Sequence, residues 1–210
     1  MVVPLTFAAL LSTCAPSVST DTMRAIVAVE SGGNPYAIHD NTTRRAYLPR
    51  SRAQAGSILA ALRSHNLDVG IAQVNAGWFP TFGVTASQML DPCRSLRIGS
   101  IILTRAYQTA DASFPQPRAA LWHAISAYNT GSLYAGTTYV AEVVNAALAP
   151  PIVPTIALLT SSPHSLTTTL VHRASVQSIQ SSFTAPLAIY HARDRTERVV
   201  DPVTATLHRL

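Results

Sequence analysis

The residues that could build a hydrophobic core are confined to the first part of this 210-residue chain. All nine glycines, both tryptophans and both cysteines lie before residue 150, whereas only Phe183 and Tyr190 of the fourteen aromatic residues follow it. Serine and threonine supply 16 of the last 60 residues. A segment with so few large apolar side chains does not offset the entropy of ordering its backbone. We therefore expect a folded domain over residues 1–149 and a largely disordered tail over 150–210.

Local signals within the domain are mostly helical. An apolar run at the N-terminus predicts a first helix that ends near Cys14, although the same run could serve as the apolar part of a secretory signal. Thr20-Asp21 is expected to cap a helix that carries Glu30 and ends at a glycine turn. Further helix signals are a Thr85-x-x-Gln88 capping box, an Asp91-Pro92 helix start, and apolar periodicity over Ala53–His65, Pro117–Tyr128 and Thr138–Leu148.

Strand signals are sparse by comparison. Residues 36–52 have the features of an irregular or hairpin segment, with a turn at Asn41-Thr-Thr43. No alternating strands recur at regular intervals, and no strand–helix–strand rhythm is present. The pattern therefore predicts a mainly α class, and it argues against a sandwich, a barrel or a doubly wound sheet.

Charge and motif content exclude several kinds of chemistry. All fifteen basic residues are arginine, which excludes a Schiff-base lysine and a P-loop lysine. Two cysteines and seven unpaired histidines offer no zinc-ligand spacing, and no nucleotide or serine-hydrolase motif is present. We expect no metal and no cofactor. The net charge of +5 suits an anionic partner, but the densest basic cluster, Arg44-Arg45 with Arg50 and Arg52, is more simply a solvated loop than a nucleic-acid patch.

One carboxylate stands out among the three glutamates. Glu142 and Glu197 are more simply surface residues, in mid-helix and among tail arginines. Glu30 is expected at the end of an apolar helix, where apolar neighbours and the helix C-terminus both raise the pKa of a carboxyl group. A glutamic acid that stays neutral near pH 7 can donate a proton to a leaving oxygen. Glu30 is therefore the candidate general acid.

Three motifs occur in a fixed order around this residue: Glu30-Ser-Gly-Gly-Asn-Pro35, Gly70-Ile-Ala-Gln-Val-Asn75 and Ala127-Tyr-Asn-Thr-Gly131. Together they resemble the soluble-lytic-transglycosylase family, a branch of the lysozyme-like superfamily. The run from about residue 7 to 148 is similar to the lytic transglycosylase component of bacterial type IV secretion systems. Three further contexts carry that similarity: Cys14-Ala-Pro16, Asp68-Val-Gly70 and Asp91-Pro-Cys93.

The resemblance implies a lysozyme-like (α+β) domain in which Glu30 is the single acid and base. It assigns Ser31 to a hydrogen bond near the reacting sugar, Gln73 and Asn75 to the cleft lining, and Tyr128 and Asn129 to orienting Glu30 and the glycan. The other nearby carboxylates, Asp40 and Asp68, are expected to form a turn and to position a loop.

The implied reaction cleaves the β-1,4 bond between N-acetylmuramic acid and N-acetylglucosamine in peptidoglycan, with a 1,6-anhydro product. It would open the cell wall for secretion-system assembly in the periplasm, with secretion subunits as possible partners of the tail. Cys14 and Cys93 could form a bridge or stay reduced in a core; the implied location outside the cytoplasm favours a disulfide. Two alternatives remain, a hydrolytic muramidase and a non-catalytic, wall-anchored assembly factor.

Overall fold

The computed structural model describes residues 6–150, 187–190 and 197–200 of the chain. Most of this part is helical, and a small antiparallel sheet accompanies the helices, which confirms the predicted mainly α, lysozyme-like class. The helices are α1 (Phe7–Cys14), α2 (Thr20–Ser31), α3 (Arg52–Ala61), α4 (Phe79–Phe82), α5 (Pro92–Ser113), α6 (Pro117–Thr130) and α7 (Thr137–Leu148). The strands are β1 (Ile38–Asp40), β2 (Arg45–Tyr47), β3 (Leu67–Val69), β4 (Val74–Asn75), β5 (Leu187–Tyr190) and β6 (Glu197–Val200), with 3₁₀ turns at Ala76–Trp78 and Ala86–Leu90.

Polar caps fix where the helices begin. Asp91 accepts a hydrogen bond from the Arg94 backbone N–H at 2.7 Å, and Pro92 is the first residue of α5, as the sequence predicts. The cap of α2 lies one residue earlier than predicted, because Ser19 Oγ accepts from the Thr22 N–H at 3.2 Å. The capping box at Thr85 is present, and it opens a 3₁₀ turn instead of an α-helix.

The sheet is larger than the predicted hairpin. Its strand order is β2-β1-β3-β4, all antiparallel, so β2 is an edge strand. Helix α3 ends at Ala61, four residues before the predicted end, because the chain turns there to bring Leu67 into the sheet. The ring of His65 then reaches Asp40 at 2.8 Å.

Two apolar clusters meet along α5. The first contains buried residues of α1, α2, α5, α6 and α7, such as Leu11, Ile26 and Leu121. The second packs the sheet and α3 against the other side of α5. Tyr128 of α6 packs against both clusters, so its side chain lies at the boundary between them.

A disulfide joins Cys14, at the end of α1, to Cys93, in the first turn of α5. It closes a loop of 79 residues that contains α2 and the whole four-stranded sheet. None of the helices in the described part of the chain is both long enough and apolar enough to span a membrane.

The tail is described only at β5 and β6, which pair with each other as an antiparallel hairpin. The sequence predicts a disordered tail over 150–210. Apart from β5 and β6, residues 151–210 lie outside the described part of the chain, and so does the side chain of Glu197.

Candidate active site

Glu30 lies at the C-terminal end of α2, where the helix stops at a glycine in the left-handed conformation (Gly32, φ 60°). The turns of α2 before it bury Ile26 and Val27 in the core, so the end of the helix is firmly anchored. The Glu30 side chain is partly buried. The hydroxyl of Tyr139, on α7, donates a hydrogen bond to Glu30 Oε1 at 2.5 Å.

The surroundings of Glu30 raise the pKa of its carboxyl group from 4.5 to about 7. Burial is the largest cause, because it removes water from the charged form. The hydrogen bond from Tyr139 opposes this effect, and the negative charge of Asp68 adds to it. Near neutral pH the group therefore exchanges a proton readily, which is the property that a residue acting first as acid and then as base requires.

The second motif forms a tight loop beside Glu30. Gly70 has φ 88°, and a Cβ there would lie 2.2 Å from the Met89 carbonyl oxygen, so only glycine fits. Gln73 has φ 46°, a conformation that few non-glycine residues adopt. Its Nε2 donates to the Ala37 and Gly70 carbonyls at 3.0 and 2.8 Å. These two bonds fix the amide at the edge of the cleft.

Asp68 is held by two amides in the cleft. Its two carboxylate oxygens accept from Asn41 Nδ2 at 2.8 Å and from Asn75 Nδ2 at 2.7 Å. Asp68 faces Asn75 across the β3–β4 pair, and the register places His39 on its other side. Asn75 thus lines one part of the cleft and also orients a carboxylate.

Asp40 has a different environment, although it belongs to the same sheet. Burial by itself raises the pKa of its carboxyl, but hydrogen bonds from Thr43, His65 and the backbone of Thr42 outweigh that effect and hold the pKa well below its usual range. It lies beneath the β1–β2 turn and does not line the cleft. This agrees with the predicted turn role.

Two residues make contacts other than those implied for them. The Tyr128 hydroxyl donates to the Ala72 carbonyl at 2.7 Å, and the hydroxyl that hydrogen-bonds Glu30 is that of Tyr139. Ser31 Oγ donates to the Ile71 carbonyl at 2.7 Å, so it ties the end of α2 to the second-motif loop. Both therefore hold backbone segments of the site together.

These elements enclose a cleft whose two parts meet at Glu30. One part, about 970 Å³ including space open to solvent, lies toward α6 and Trp78; the other, about 820 Å³, lies toward the β1–β2 hairpin. The residues that line both parts are Glu30, Asn41, Asp68, Gln73 and Asn129. An elongated ligand that fills both parts would therefore cross the Glu30 carboxyl near its middle.

Sequence reasoning missed Tyr139 and Asn41, and it undervalued Asp68. Tyr139 was hidden because 109 residues separate it from Glu30, and only the packing of α7 on α2 brings them together. The available signal was a tyrosine among the apolar residues of α7, since a buried hydroxyl requires a hydrogen-bond partner. Among the described residues, no group of three or more histidine, cysteine or acidic side chains could hold a metal ion.

Comparison with known proteins agrees with this geometry. The family described as Transglycosylase SLT domain matches residues 9–140. Protein virB1 of Agrobacterium fabrum (strain C58) is 39% identical over 145 residues, which cover 66% of this chain and 59% of the relative. Type IV secretion system protein virB1 of Brucella abortus biovar 1 (strain 9-941) is 40% identical over 151 residues, which cover 67% and 63%. The chain thus spans about three fifths of the length of these relatives. No solved structure gives a significant match.

Proposed function

Because the chain belongs to the transglycosylase SLT family, we propose that it is a peptidoglycan lytic transglycosylase. Its substrate is the β-1,4 bond between N-acetylmuramic acid and N-acetylglucosamine, and its product carries a 1,6-anhydro ring. The observation that carries this proposal is Glu30, a carboxyl group with a pKa of about 7 where the two parts of the cleft meet.

The reaction requires one group that first gives and then takes a proton. Glu30, in its neutral form, protonates the glycosidic oxygen as the bond from that oxygen to C1 of the muramic acid breaks. The acetamido oxygen of the same sugar stabilises the positive charge that develops at C1. The C6 hydroxyl then attacks C1, its proton passes to the Glu30 carboxylate, and the 1,6-anhydro ring closes without consuming water.

The remaining site residues divide into two groups in this proposal. Gln73, Asn75 and Asn129 contact the glycan, because neutral sugars are bound by short polar side chains. The amide oxygen of Gln73 accepts no hydrogen bond within residues 6–150 and is available to a sugar hydroxyl. Tyr128 and Ser31 position the second-motif loop through the Ala72 and Ile71 carbonyls.

Product analysis on isolated sacculi tests the proposal. The full chain is expected to release anhydro-muropeptides, and Glu30→Gln is expected to release none above background. Glu142→Gln is the matched control, because it removes an exposed carboxylate that does not line the cleft. A Glu30→Gln protein as active as the control would refute the assignment, and a wild-type chain that only binds sacculi would favour the wall-anchored assembly factor.

One observation favours hydrolysis as a second candidate. Asp68 lines both parts of the cleft, and two amides hold its carboxylate, so a second acidic group faces the substrate. Muramidases pair a neutral acid with a second carboxylate. Mass spectrometry distinguishes the two reactions, because hydrolysis gives reducing ends that are one water heavier. An Asp68→Asn variant that keeps the anhydro product and its rate supports the single-carboxyl reaction.

The relatives' names give the proposed setting. We propose that the reaction takes place in the periplasm and opens the wall locally for a type IV secretion system, since relatives carry that name. The Cys14–Cys93 disulfide supports an oxidising compartment. We further propose residues 1–149 as the catalytic domain and 150–210 as a segment that binds secretion subunits. Capture of those subunits by the full chain, lost on removing 151–210, is the expected result; unchanged capture contradicts it.

A further inference from the structure

Four arginines lie on and just after the β1–β2 hairpin: Arg44, Arg45, Arg50 and Arg52, called here the basic rim. All four residues are exposed, and β2 is the edge strand of the sheet. Within residues 6–150, none of these guanidinium groups forms an ion pair with a carboxylate. The basic rim is therefore a patch of positive charge without local compensation.

The contacts of the individual arginines leave most of this charge available. The Arg45 guanidinium lies over the Tyr47 ring at 5.0 Å, and Arg52 donates one hydrogen bond to the Ser87 carbonyl at 3.0 Å. Arg44 occupies the turn with φ 58°, where glycine or asparagine is more usual. The backbone conformation at this position does not favour arginine, so its presence points to a role of the Arg44 side chain.

The basic rim adjoins the hairpin part of the cleft along the chain. Ala46, Tyr47 and Leu48 line the hairpin part, and Arg45 precedes them directly in the chain. Leu48 is 67% exposed, which gives this border an apolar surface as well. Among the described residues, no arginine lines either part of the cleft, so the rim guanidinium groups lie beside the hairpin part and not within it. The basic rim is therefore a patch of positive charge next to the hairpin part of the cleft.

In a glycan backbone whose muramic acid carboxyls are all held in amide bonds to the peptide, arginines find no carboxylate to pair with. The peptide that branches from muramic acid offers such partners, because it carries free carboxylates and small apolar side chains. This branch starts from the sugar whose bond is cut, so it must leave the cleft close to Glu30. We propose that the basic rim binds the carboxylates of this stem peptide, so that the protein prefers peptide-bearing glycan strands. This inference rests on the proposed function, because it assumes that peptidoglycan occupies the cleft.

The test compares soluble, fluorescently labelled glycan strands that carry stem peptides with N-acetylglucosamine oligomers of the same length, which have neither peptide nor carboxylate. Strands stripped by an amidase are unsuitable, because that reaction leaves the lactyl carboxylate of each muramic acid free. Binding is measured by anisotropy with the full chain in its Glu30→Gln form, so that the strands are not cut. Arg44→Gln/Arg45→Gln is expected to weaken binding of peptide-bearing strands by about threefold to tenfold, since exposed ion pairs are individually weak. Binding of the N-acetylglucosamine oligomers is expected to stay unchanged, and added salt is expected to remove the difference between the two ligands.

Arg94→Gln/Arg97→Gln is the matched control, because it removes the same charge from exposed positions on α5 that do not line the cleft. This pair is expected to bind both ligands like the parent. The inference is overturned if the Arg44/Arg45 variant loses affinity equally for both ligands, or for neither. If the proposed function is wrong, the result is different: the wild-type chain binds peptidoglycan strands but releases no muropeptide product.

Discussion

Replacing Glu30 by glutamine should stabilise the fold at pH 8 but not at pH 4. Below pH 4.5 the carboxyl is protonated in both the folded and the unfolded chain, so burial costs little. Above pH 7 it is ionised in both, and the folded state carries the full cost of burying the charge. The wild-type protein therefore loses stability as the pH rises through this window, whereas a glutamine stays neutral throughout.

The size of the effect follows from the pKa of Glu30. A rise from 4.5 to about 7 corresponds to about 3 kcal/mol, at roughly 1.4 kcal/mol for each unit of pKa. Partial exposure of the side chain reduces this figure, so we expect a gain of about 2 kcal/mol at pH 8. A glutamine Oε1 can still accept the bond from Tyr139, which keeps the packing comparable.

Urea unfolding with the disulfide intact, followed by circular dichroism, measures this gain. The quantity of interest is the free energy of unfolding of Glu30→Gln minus that of wild type, at pH 4 and at pH 8. Other titrating groups cancel, because both proteins contain them. Glu142→Gln, at an exposed position, controls for loss of one carboxylate. A difference that stays constant between the two pH values, or that shrinks toward pH 8, would refute the assignment of Glu30 as a buried, normally neutral acid.

Three further predictions concern Tyr139, the disulfide and Gly99. Tyr139→Phe removes a hydrogen-bond donor that lowers the pKa of Glu30. The alkaline limb of the pH profile of kcat/KM should therefore move up by about one pH unit. An unchanged limb would contradict the role of this hydrogen bond. Cys14→Ser/Cys93→Ser should lower the free energy of unfolding by about 2–4 kcal/mol in urea, and equal stability of the two forms would show that the closed loop contributes nothing. In Gly99→Ala the new Cβ would lie 2.8 Å from the Tyr128 hydroxyl, so we expect lower kcat/KM and a loss of about 1–3 kcal/mol. Gly56→Ala, with open space around its Cβ, should instead stabilise α3 by about 0.5–1 kcal/mol, and similar losses for both variants would argue against a specific clash.

The start of α5 could be predicted because its cause is local. The Asp91 carboxylate caps the helix that starts one residue later, and both groups lie within four residues of each other. The β1–β2 hairpin was accessible for the same reason, since its turn is marked by polar residues. Strands β3 and β4 could not be predicted, because three and two residues are too short to display alternation. Strand β3 forms because β1 offers it a partner, and β4 pairs in turn with β3.

The same difference between local and long-range causes applies to the candidate site. Glu30 was identifiable from its position at the end of an apolar helix, and Gln73 from its motif. The roles of Ser31 and Tyr128 were not, because each hydroxyl binds a carbonyl at least 40 residues away along the chain. A motif records which residue types are present, whereas the hydrogen-bond partner depends on how the two apolar clusters pack.

Helices α2 and α7 are joined at both ends, by the Arg24 guanidinium on the Ala146 and Ala147 carbonyls and by Tyr139 on Glu30. A chain that ended at Gly136 would contain all three motifs, yet its Glu30 would lack the Tyr139 hydroxyl and would have no α7 to exclude water. The acid of the proposed reaction therefore depends on the last helix of the domain. A gene fragment truncated before α7 would be counted as intact by its motifs and would encode a protein without its working acid.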